Sequence, residues 1–250
     1  MTKGFIILFL KPFLKFKDFF SHRSNKKKLK KNINIIDNES DFIESGESFF
    51  LDLIVDSISI IFDVGTKDYS CFVKLDKEVH FFEPVAEHIE ILSMKSKHNT
   101  KHFFNCFALG NENCEKNYYT KSQSFCNRKR YKSNEYIEKI KIKRGSDYIN
   151  SNDIRFVDFL KIDVEGYELE VIKGFGEKLF DVGIIQFEYG GTFKDMGIKL
   201  IDVISHLEKY NFTAFSYLSK TSIQKINDFS DHYQYSNIVC YNRKSRFCNI

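Results

Sequence analysis

Residues 156–175, FVDFLKIDVEGYELEVIKGF, decide the fold class of this chain of 250 residues. An apolar run ends at Val164 and is followed at once by Glu165 and Gly166, and a helix-periodic stretch then extends toward Gly174. This order predicts a buried parallel strand, a tight turn and a crossover helix that has Gly174 as its C-cap. Ligands of open α/β sheets bind outside the carboxyl ends of the strands, so the carboxylates at this turn are candidate site residues.

Other apolar runs along the chain also end in acids. Predicted strands alternate with helical stretches, which indicates an α/β fold: a Rossmann-like, three-layer, mostly parallel sheet with a C-terminal antiparallel pair. The carboxyl ends of parallel strands share one edge of a sheet, so the acids at four strand ends are expected to converge on one cleft: Asp63, Glu83, Asp163 and Glu188. The alternative is that each acid only forms a polar turn, because turns tolerate acids.

The middle of the chain has less regular patterns. Residues 102–110 predict a third strand, and residues 111–135 are polar without a clear period, which predicts a long surface loop. Residues 136–143, YIEKIKIK, alternate between apolar and charged side chains, as is typical of an edge strand.

The motif KIDVEGYELEVIKG, residues 161–174, resembles the signature of FkbM-type methyltransferases, and the resemblance extends over residues 58–241. That family transfers methyl groups from S-adenosylmethionine (SAM), usually to hydroxyl oxygens of sugars or natural products. The resemblance therefore implies an enzyme, a SAM-dependent O-methyltransferase whose acceptor is a hydroxyl of a sugar, a glycoconjugate or another small molecule. It implies a class I methyltransferase domain at residues 56–245, after a basic and aromatic N-terminal extension and linker at residues 1–55.

A nucleoside cofactor needs a tight turn after the first strand and an acid after the second strand to accept hydrogen bonds from ribose hydroxyls. The first run ends in Asp63 and Gly65, which match the DxG start of the family's SAM loop, and Glu83 matches the ribose acid. No GxGxxG follows the first strand, which disfavours a dinucleotide. The predicted SAM-binding residues are Asp63, Gly65, Glu83, Pro84 and Ala108.

The loop after the first strand, DVGTKDYSCFVKLDKE at residues 63–78, departs from the family pattern. Tyr69 stands where loops of the DxGAxxG kind have their later glycine, and a tyrosine adopts a positive φ only at a cost. The interval from Asp63 to Glu83 is also short, which requires a short first helix. The alternative function is therefore a catalytically impaired FkbM-like domain that acts as a binding or scaffold protein, with an altered SAM loop at residues 65–72.

Methyl transfer to a hydroxyl requires an acceptor oxygen held in line and a group that takes its proton. Asp163 or Glu165 could orient the acceptor or act as the base, and Glu188 is a further candidate. Asp163 and Glu188 also offer the oxygen ligands that suit magnesium, but the spacing does not require an ion, so no metal site is predicted. The six cysteines form no CxxC pair, which favours a reducing, cytoplasmic location.

The N-terminal segment carries a charge of +9 over residues 1–31, which leaves −5 on the rest of the chain. An acidic body disfavours a nucleic-acid partner, although the basic residues 128–144 keep methylation of RNA or protein as an alternative. The apolar run Phe5–Leu10 is too short to span a membrane. Residues 4–31 suit peripheral contact with an anionic membrane surface; a disordered basic tail and a helix packed on the domain are the alternatives.

Overall fold

The computed structural model describes residues 42–97, 99–120, 123–125 and 137–247. The predicted membrane contact through residues 4–31 lies outside these residues. In the part of the chain that is described, no helix combines the length and the apolar character needed to cross a membrane.

The chain divides into two compact units. The smaller unit comprises Met1–Asp56 together with Ser219–Ser222, and the larger unit comprises Ser57–Leu218 and Ile223–Ile250. The described part of the smaller unit contains one long helix, α1 (Glu47–Ile54). The predicted domain assignment, with its boundary after residue 55, remains a prediction.

Eleven strands are defined in the described residues: β1 (Ile60–Val64), β2 (Glu78–Phe82), β3 (His102–Asn105), β4 (Ala108–Gly110), β5 (Cys114–Tyr119), β6 (Ile137–Arg144), β7 (Val157–Ile162), β8 (Val182–Tyr189), β9 (Phe212–Ser219), β10 (Ser222–Lys225) and β11 (Ser236–Asn242). The remaining α-helices are α2 (Ala86–Lys95), α3 (Gly145–Ser151), α4 (Glu168–Phe175), α5 (Gly191–Met196) and α6 (Leu200–Glu208). Two 3₁₀-helices span Cys71–Lys74 and Gly176–Asp181.

Eight strands form the main sheet in the order β10-β9-β11-β8-β7-β1-β2-β3. The pairs β1/β2, β2/β3, β1/β7 and β7/β8 are parallel, whereas β11 runs antiparallel to both β8 and β9. Strands β1, β2, β7 and β8 are buried along almost their whole length, as expected of parallel strands covered on both faces. The predicted Rossmann-like fold with its C-terminal antiparallel pair is confirmed.

The direction of the strand order reverses between β1 and β7. From β1 the chain moves outward to β2 and β3, and it returns on the other side of β1 with β7 and β8. At this reversal the Asp163 amide donates to the Val64 carbonyl oxygen over 2.9 Å, and the Gly65 amide donates to the Phe82 carbonyl oxygen over 2.9 Å. Such a topological switch point is where open α/β sheets bind ligands.

A second sheet corrects three predictions for the middle of the chain. The predicted third strand at residues 102–110 is two strands: β3 belongs to the main sheet, and β4 belongs to a three-stranded sheet of order β4-β6-β5. The predicted loop at residues 111–135 contains β5, and β6 is the central strand of the small sheet rather than an edge strand. The alternation in β6 arises because one face of the small sheet is buried and the other exposed, a pattern that does not distinguish edge from centre.

Gly174 lies inside α4, so its prediction as the C-cap is wrong, and Gly176 takes that position. A Cβ at Gly174 would lie 2.0 Å from the Gly110 carbonyl oxygen. The glycine therefore permits close packing of α4 against β4, which brings the small sheet onto the helix that follows β7.

Asp158 joins the beginnings of β1 and β7. Its buried carboxylate accepts hydrogen bonds from the amides of Ser59 (2.8 Å) and Ile60 (3.0 Å), and it pairs with Arg246 over 2.7 Å. We expect Asp158→Ala to lower the free energy of unfolding by about 2–3 kcal/mol, because two partly buried amides lose their acceptor. Urea denaturation measures this loss. Arg246→Ala is the control and should cost less than about 1 kcal/mol, because the arginine side chain is 59% exposed; equal losses would contradict the amide-based explanation.

Candidate active site

An open cleft with about 430 Å³ of empty space lies at the carboxyl ends of β1, β2 and β7. The loop after β1 contributes Gly65 and Lys67, and the end of β2 contributes Glu83. Asp163 and Glu165, from the turn after β7, line the cleft beside them. Of the four acids expected to converge, Glu83 and Asp163 therefore line one concave site, whereas Asp63 and Glu188 are not among its lining residues. Polar groups set among apolar walls are usual for small-molecule sites.

Gly65 lets the first loop approach the turn after β7. It has a φ of +86°, and a Cβ at this position would lie 1.9 Å from the Asp163 carbonyl oxygen. Only glycine combines this left-handed backbone with so close an approach of two chain segments. The floor of the cleft thus depends on the absence of a single side chain.

Glu83 follows β2 with its side chain buried at the cleft wall. One carboxylate oxygen accepts from the Lys67 amide and the other from the Val85 amide, both over 2.9 Å. His88 Nδ1 lies 3.5 Å from Oε1, and this contact with Glu83 raises the pKa of His88 although burial opposes the rise. Each carboxylate oxygen has two lone pairs, so the group retains acceptor capacity while the amides fix its orientation.

Two residues of the first loop differ from expectation. Asp63 is not among the described residues that line the cleft; its buried carboxylate accepts from Ser70 Oγ over 2.5 Å, and Ser70 caps the 3₁₀-helix. Tyr69 has no positive φ, so its prediction as the replacement for a left-handed glycine is wrong, and Lys67 holds that conformation with a φ of 54°. The Tyr69 amide closes a turn onto the Thr66 carbonyl oxygen, which places the left-handed residue earlier in the loop. The predicted short first helix is the four-residue 3₁₀-helix.

The three predicted catalytic acids lie together: one carboxylate oxygen each from Asp163, Glu165 and Glu188 fall within 4.8 Å of one another. Burial alone would raise the pKa of Asp163, but nearby ammonium groups and a hydrogen bond with Glu188 lower that pKa to about 2. Burial and the charge of Asp163 raise the pKa of Glu188 well above its usual range. Of the two acids, Asp163 is therefore the one that ionises first, and Glu188 keeps its proton to higher pH.

Two lysines neutralise this acid cluster. Lys161 Nζ lies 3.4 Å from an Asp163 carboxylate oxygen, and Lys67 Nζ lies 3.2 Å from Glu165 Oε1. The oxygen atoms of the cluster have the hard-ligand chemistry that suits a divalent ion. Ammonium groups stand beside two of the three acids and balance part of their charge. The predicted absence of a metal stays a prediction.

Glu168 holds the turn between β7 and α4. It is fully buried, and its Oε1 accepts hydrogen bonds from the amides of Val164 (3.1 Å) and Gly166 (3.2 Å). Its other oxygen, Oε2, has no hydrogen-bond partner among the described residues. Burial raises the pKa of Glu168 to about 8, against the opposing effect of the backbone hydrogen bonds. The turn that presents the acid cluster is therefore braced by a carboxyl group that is protonated over much of the neutral pH range.

An aromatic wall of Tyr118, Phe125 and Tyr167 lines the cleft together with the acids. The ring centroids of Tyr118 and Phe125 are 5.2 Å apart, and those of Phe125 and Tyr167 are 4.7 Å apart. Lys116 donates from Nζ to the Tyr167 hydroxyl over 2.9 Å. Tyr167 belongs to the turn after β7, whereas Tyr118 comes from β5 and Phe125 from the segment that follows β5, so the small sheet and that segment contribute to the lining of the cleft.

The sequence profile of the methyltransferase FkbM domain family matches residues 63–214, more than half of the chain. The chain belongs to the FkbM methyltransferase family. The match includes the first loop, Glu83, the small sheet and the acid cluster. The resemblance to FkbM-type methyltransferases predicted from residues 161–174 is confirmed. No curated relative matches the chain.

Three solved structures are similar to this FkbM methyltransferase at low identity. A Streptococcus mutans protein in complex with S-adenosylhomocysteine (SAH) has 12% identity and a TM-score of 0.45, with 78% of this chain and 97% of that chain covered. An rRNA methylase from Streptococcus thermophilus has 11% identity and a TM-score of 0.46, with 79% of this chain and 96% of that chain covered. A protein of the NADB-Rossmann superfamily from Streptococcus agalactiae has 11% identity and a TM-score of 0.42, with 77% of this chain and 67% of that chain covered. Because these TM-scores are below 0.5, the fold rests on the strand order and the family on the sequence match.

Sequence reasoning about this methyltransferase missed three residues of the site. Lys67 could not be predicted because a lone lysine in a polar loop belongs to no periodic pattern. His88 could not be predicted because its contact with Glu83 depends on how the helix after Glu83 is oriented. Glu168 could have been found, since a carboxylate in the first turn of a helix after a glycine turn is a common acceptor for exposed amides. Pro84 and Ala108 line the cleft as predicted, and their contact with a cofactor stays a prediction.

Proposed function

We propose that this chain is a SAM-dependent O-methyltransferase that methylates a hydroxyl group of a sugar or glycoconjugate. The observation that carries the proposal is the cleft itself, which has an oriented carboxylate, Glu83, at one end and the acid cluster at the other. Gly65 keeps the floor between them free of a side chain. These residues fit SAM: Glu83 would accept from the ribose hydroxyls, Gly65 would admit the chain of the cofactor, and Ala108 would lie beside the nucleoside.

When bound, SAM supplies a methyl group on a sulfonium, which is a good leaving group. The residues of the chain then have to orient the acceptor hydroxyl and receive its proton. Asp163 is the ionised acid of the cluster and is the group suited to accept a hydrogen bond from that hydroxyl. Glu188, whose pKa is raised by burial and by the charge of Asp163, lies beside Asp163 in the cluster and would help to position the acceptor. Glu165 stands at the edge of the pair and would position a second hydroxyl.

The charges of the cleft favour a hydroxylated acceptor over a polyphosphate. Three carboxylates line it, Glu83, Asp163 and Glu165, against one ammonium, Lys67. Carboxylates accept hydrogen bonds from vicinal hydroxyls and repel phosphate esters. The aromatic wall adds flat apolar surface against which a sugar ring can pack. We therefore propose a glycan or small-molecule partner and no nucleic-acid partner. A cytoplasmic location is proposed separately, from the absence of paired cysteine motifs in the sequence.

We expect calorimetry with the full chain to detect SAM and SAH binding, and SAM at a hundred times its dissociation constant to stabilise the fold by about 2.7 kcal/mol. Glu83→Ala should weaken SAM binding by about tenfold or more, because charged hydrogen bonds are lost. Glu87→Ala removes an acid from the exposed side of α2 and should leave the affinity unchanged. A folded chain that binds neither ligand at millimolar concentration would refute the proposal and favour the impaired-domain alternative.

If SAM binds, SAH formation with a panel of sugars and glycosides tests the acceptor class. Activity with RNA that falls steeply with added salt would overturn the glycan assignment, since nucleic-acid binding depends on the release of counterions.

A further inference from the structure

Lys67 connects the two ends of the cleft. Its amide donates to Glu83 Oε2 over 2.9 Å, and its Nζ lies 3.2 Å from Glu165 Oε1. The side chain retains 27% of its exposure and lines the cleft. One residue thus contacts both the acid that would hold the ribose and the acid cluster.

The ion pair joins two residues that both hold a left-handed backbone. Lys67 has a φ of 54° and Glu165 a φ of 57°, although both carry a Cβ. The surrounding hydrogen bonds impose these conformations: Glu83 fixes the Lys67 amide, and Ser124 Oγ donates to the Glu165 carbonyl oxygen over 2.9 Å. Backbone strain of this kind persists where the structure around it over-determines the geometry, and it is common at ligand sites.

The ammonium of Lys67 faces more than its one partner. Burial lowers its pKa, but the charges of Asp163 and Glu165 and the hydrogen bond with Glu165 outweigh burial and raise that pKa, so the group is charged. The neighbouring Lys161 pairs with Asp163 instead, with its Nζ 3.4 Å from the carboxylate. Lys67 is therefore the cation that balances Glu165 on the open side of the acid cluster.

We propose that Lys67 is a specificity-determining residue, whose ammonium is the counter-ion of Glu165 until a cationic cofactor takes its place beside the acid cluster. This inference rests on the proposed function, in which Glu83 holds the ribose and the sulfur, one carbon beyond the ribose ring, lies toward Glu165. Displacement of one cation by another preserves the charge balance of the cluster. SAM must therefore compete with Lys67 for the acids whereas neutral SAH does not, so Lys67 narrows the preference of the acid cluster for the charged methyl donor over its uncharged product.

Three ligands isolate the charge at the reacting centre. SAM has a sulfonium there, SAH has a neutral thioether, and sinefungin has an ammonium, while the nucleoside and the amino-acid group are shared. Removal of the competing ammonium in Lys67→Met should raise the affinity for SAM and sinefungin by about tenfold, and the affinity for SAH by less than about threefold. The SAM-to-SAH affinity ratio, measured by calorimetry, should therefore widen.

Two further variants control for charge and for folding. Lys101→Met removes the same charge from an exposed pair with Asp76 outside the cleft and should leave all three affinities unchanged. Lys67→Arg retains the cation and should retain the wild-type ratio, and it remains informative if Lys67→Met folds poorly.

The inference fails if SAM, sinefungin and SAH gain affinity equally in Lys67→Met, because the effect is then steric. It also fails if SAM affinity falls, because Lys67 then binds the cofactor directly. In both cases ligand binding itself leaves the proposed function intact, whereas the absence of SAM binding in every variant removes both.

Discussion

Gly65→Ala is expected to lower the free energy of unfolding by about 4 kcal/mol, a large share of the stability of a typical domain. The new Cβ would lie 1.9 Å from the Asp163 carbonyl oxygen, which belongs to backbone and cannot rotate away. The φ of +86° adds the cost of a left-handed alanine. Relief requires β1 and the turn after β7 to separate, so SAM binding should be lost along with stability.

Gly197→Ala separates the two causes of this loss. Gly197 also has a positive φ, +69°, but a Cβ there meets no heavy atom within 4 Å. We expect that variant to lose only about 1–2 kcal/mol, the cost of the backbone conformation. Urea denaturation followed by circular dichroism measures both, since the chain contains no tryptophan. Equal losses in the two variants would show that the contact with Asp163 is not the cause.

Glu168→Gln is expected to change how stability depends on pH. The folded-state pKa of about 8 lies above the ordinary value of 4.5, so the folded chain keeps a proton that the unfolded chain releases. The stabilisation is therefore complete below pH 4.5 and is lost as the pH rises to 8, by about 5 kcal/mol in total. Glutamine cannot ionise, and its carbonyl oxygen can still accept from the amides of Val164 and Gly166. The unfolding free energy of the variant should therefore rise relative to that of the wild type as the pH increases across this range.

The difference in unfolding free energy between the wild type and Glu168→Gln, measured at intervals from pH 4.5 to 9, isolates this group from the other acids. Glu170→Gln is the matched control, because Glu170 belongs to the same helix and pairs with Lys173 at the surface. Its difference from the wild type should be small throughout. A difference for Glu168→Gln that does not vary with pH would show that Glu168 is ionised in the folded chain.

The parallel strands β1, β2, β7 and β8 could be predicted because they are buried along almost their whole length and have acids at their ends. A run such as VDFLKI has one plausible structure when a turn and a helical period follow it. The small sheet could not be predicted in the same way. Residues 111–120 are polar, and β5 is stabilised by its pairing with β6, which lies beyond residue 136 and gives no local sign of that partner.

The acids of the site were predictable from strand ends, but their roles were not. Asp163 and Glu188 lie at the ends of neighbouring strands, yet nearby ammonium groups lower the pKa of one while burial raises the pKa of the other. Asp63 and Glu83 lie near the ends of β1 and β2, and only the structure shows that Ser70 engages Asp63. Side-chain partners brought together by the fold decide such differences, and sequence spacing does not record them.

The lining of the cleft comes from two separate sheets. Strands β1, β2 and β7 of the main sheet end at the cleft, whereas Ala108 and Tyr118 belong to the small sheet, which shares no strand with the main sheet in the described residues. Substitutions in β5 can therefore change the lining of the cleft without disturbing the parallel strands that carry Gly65 and Glu83. The shape of the cleft can thus diverge among relatives while the parallel core is preserved.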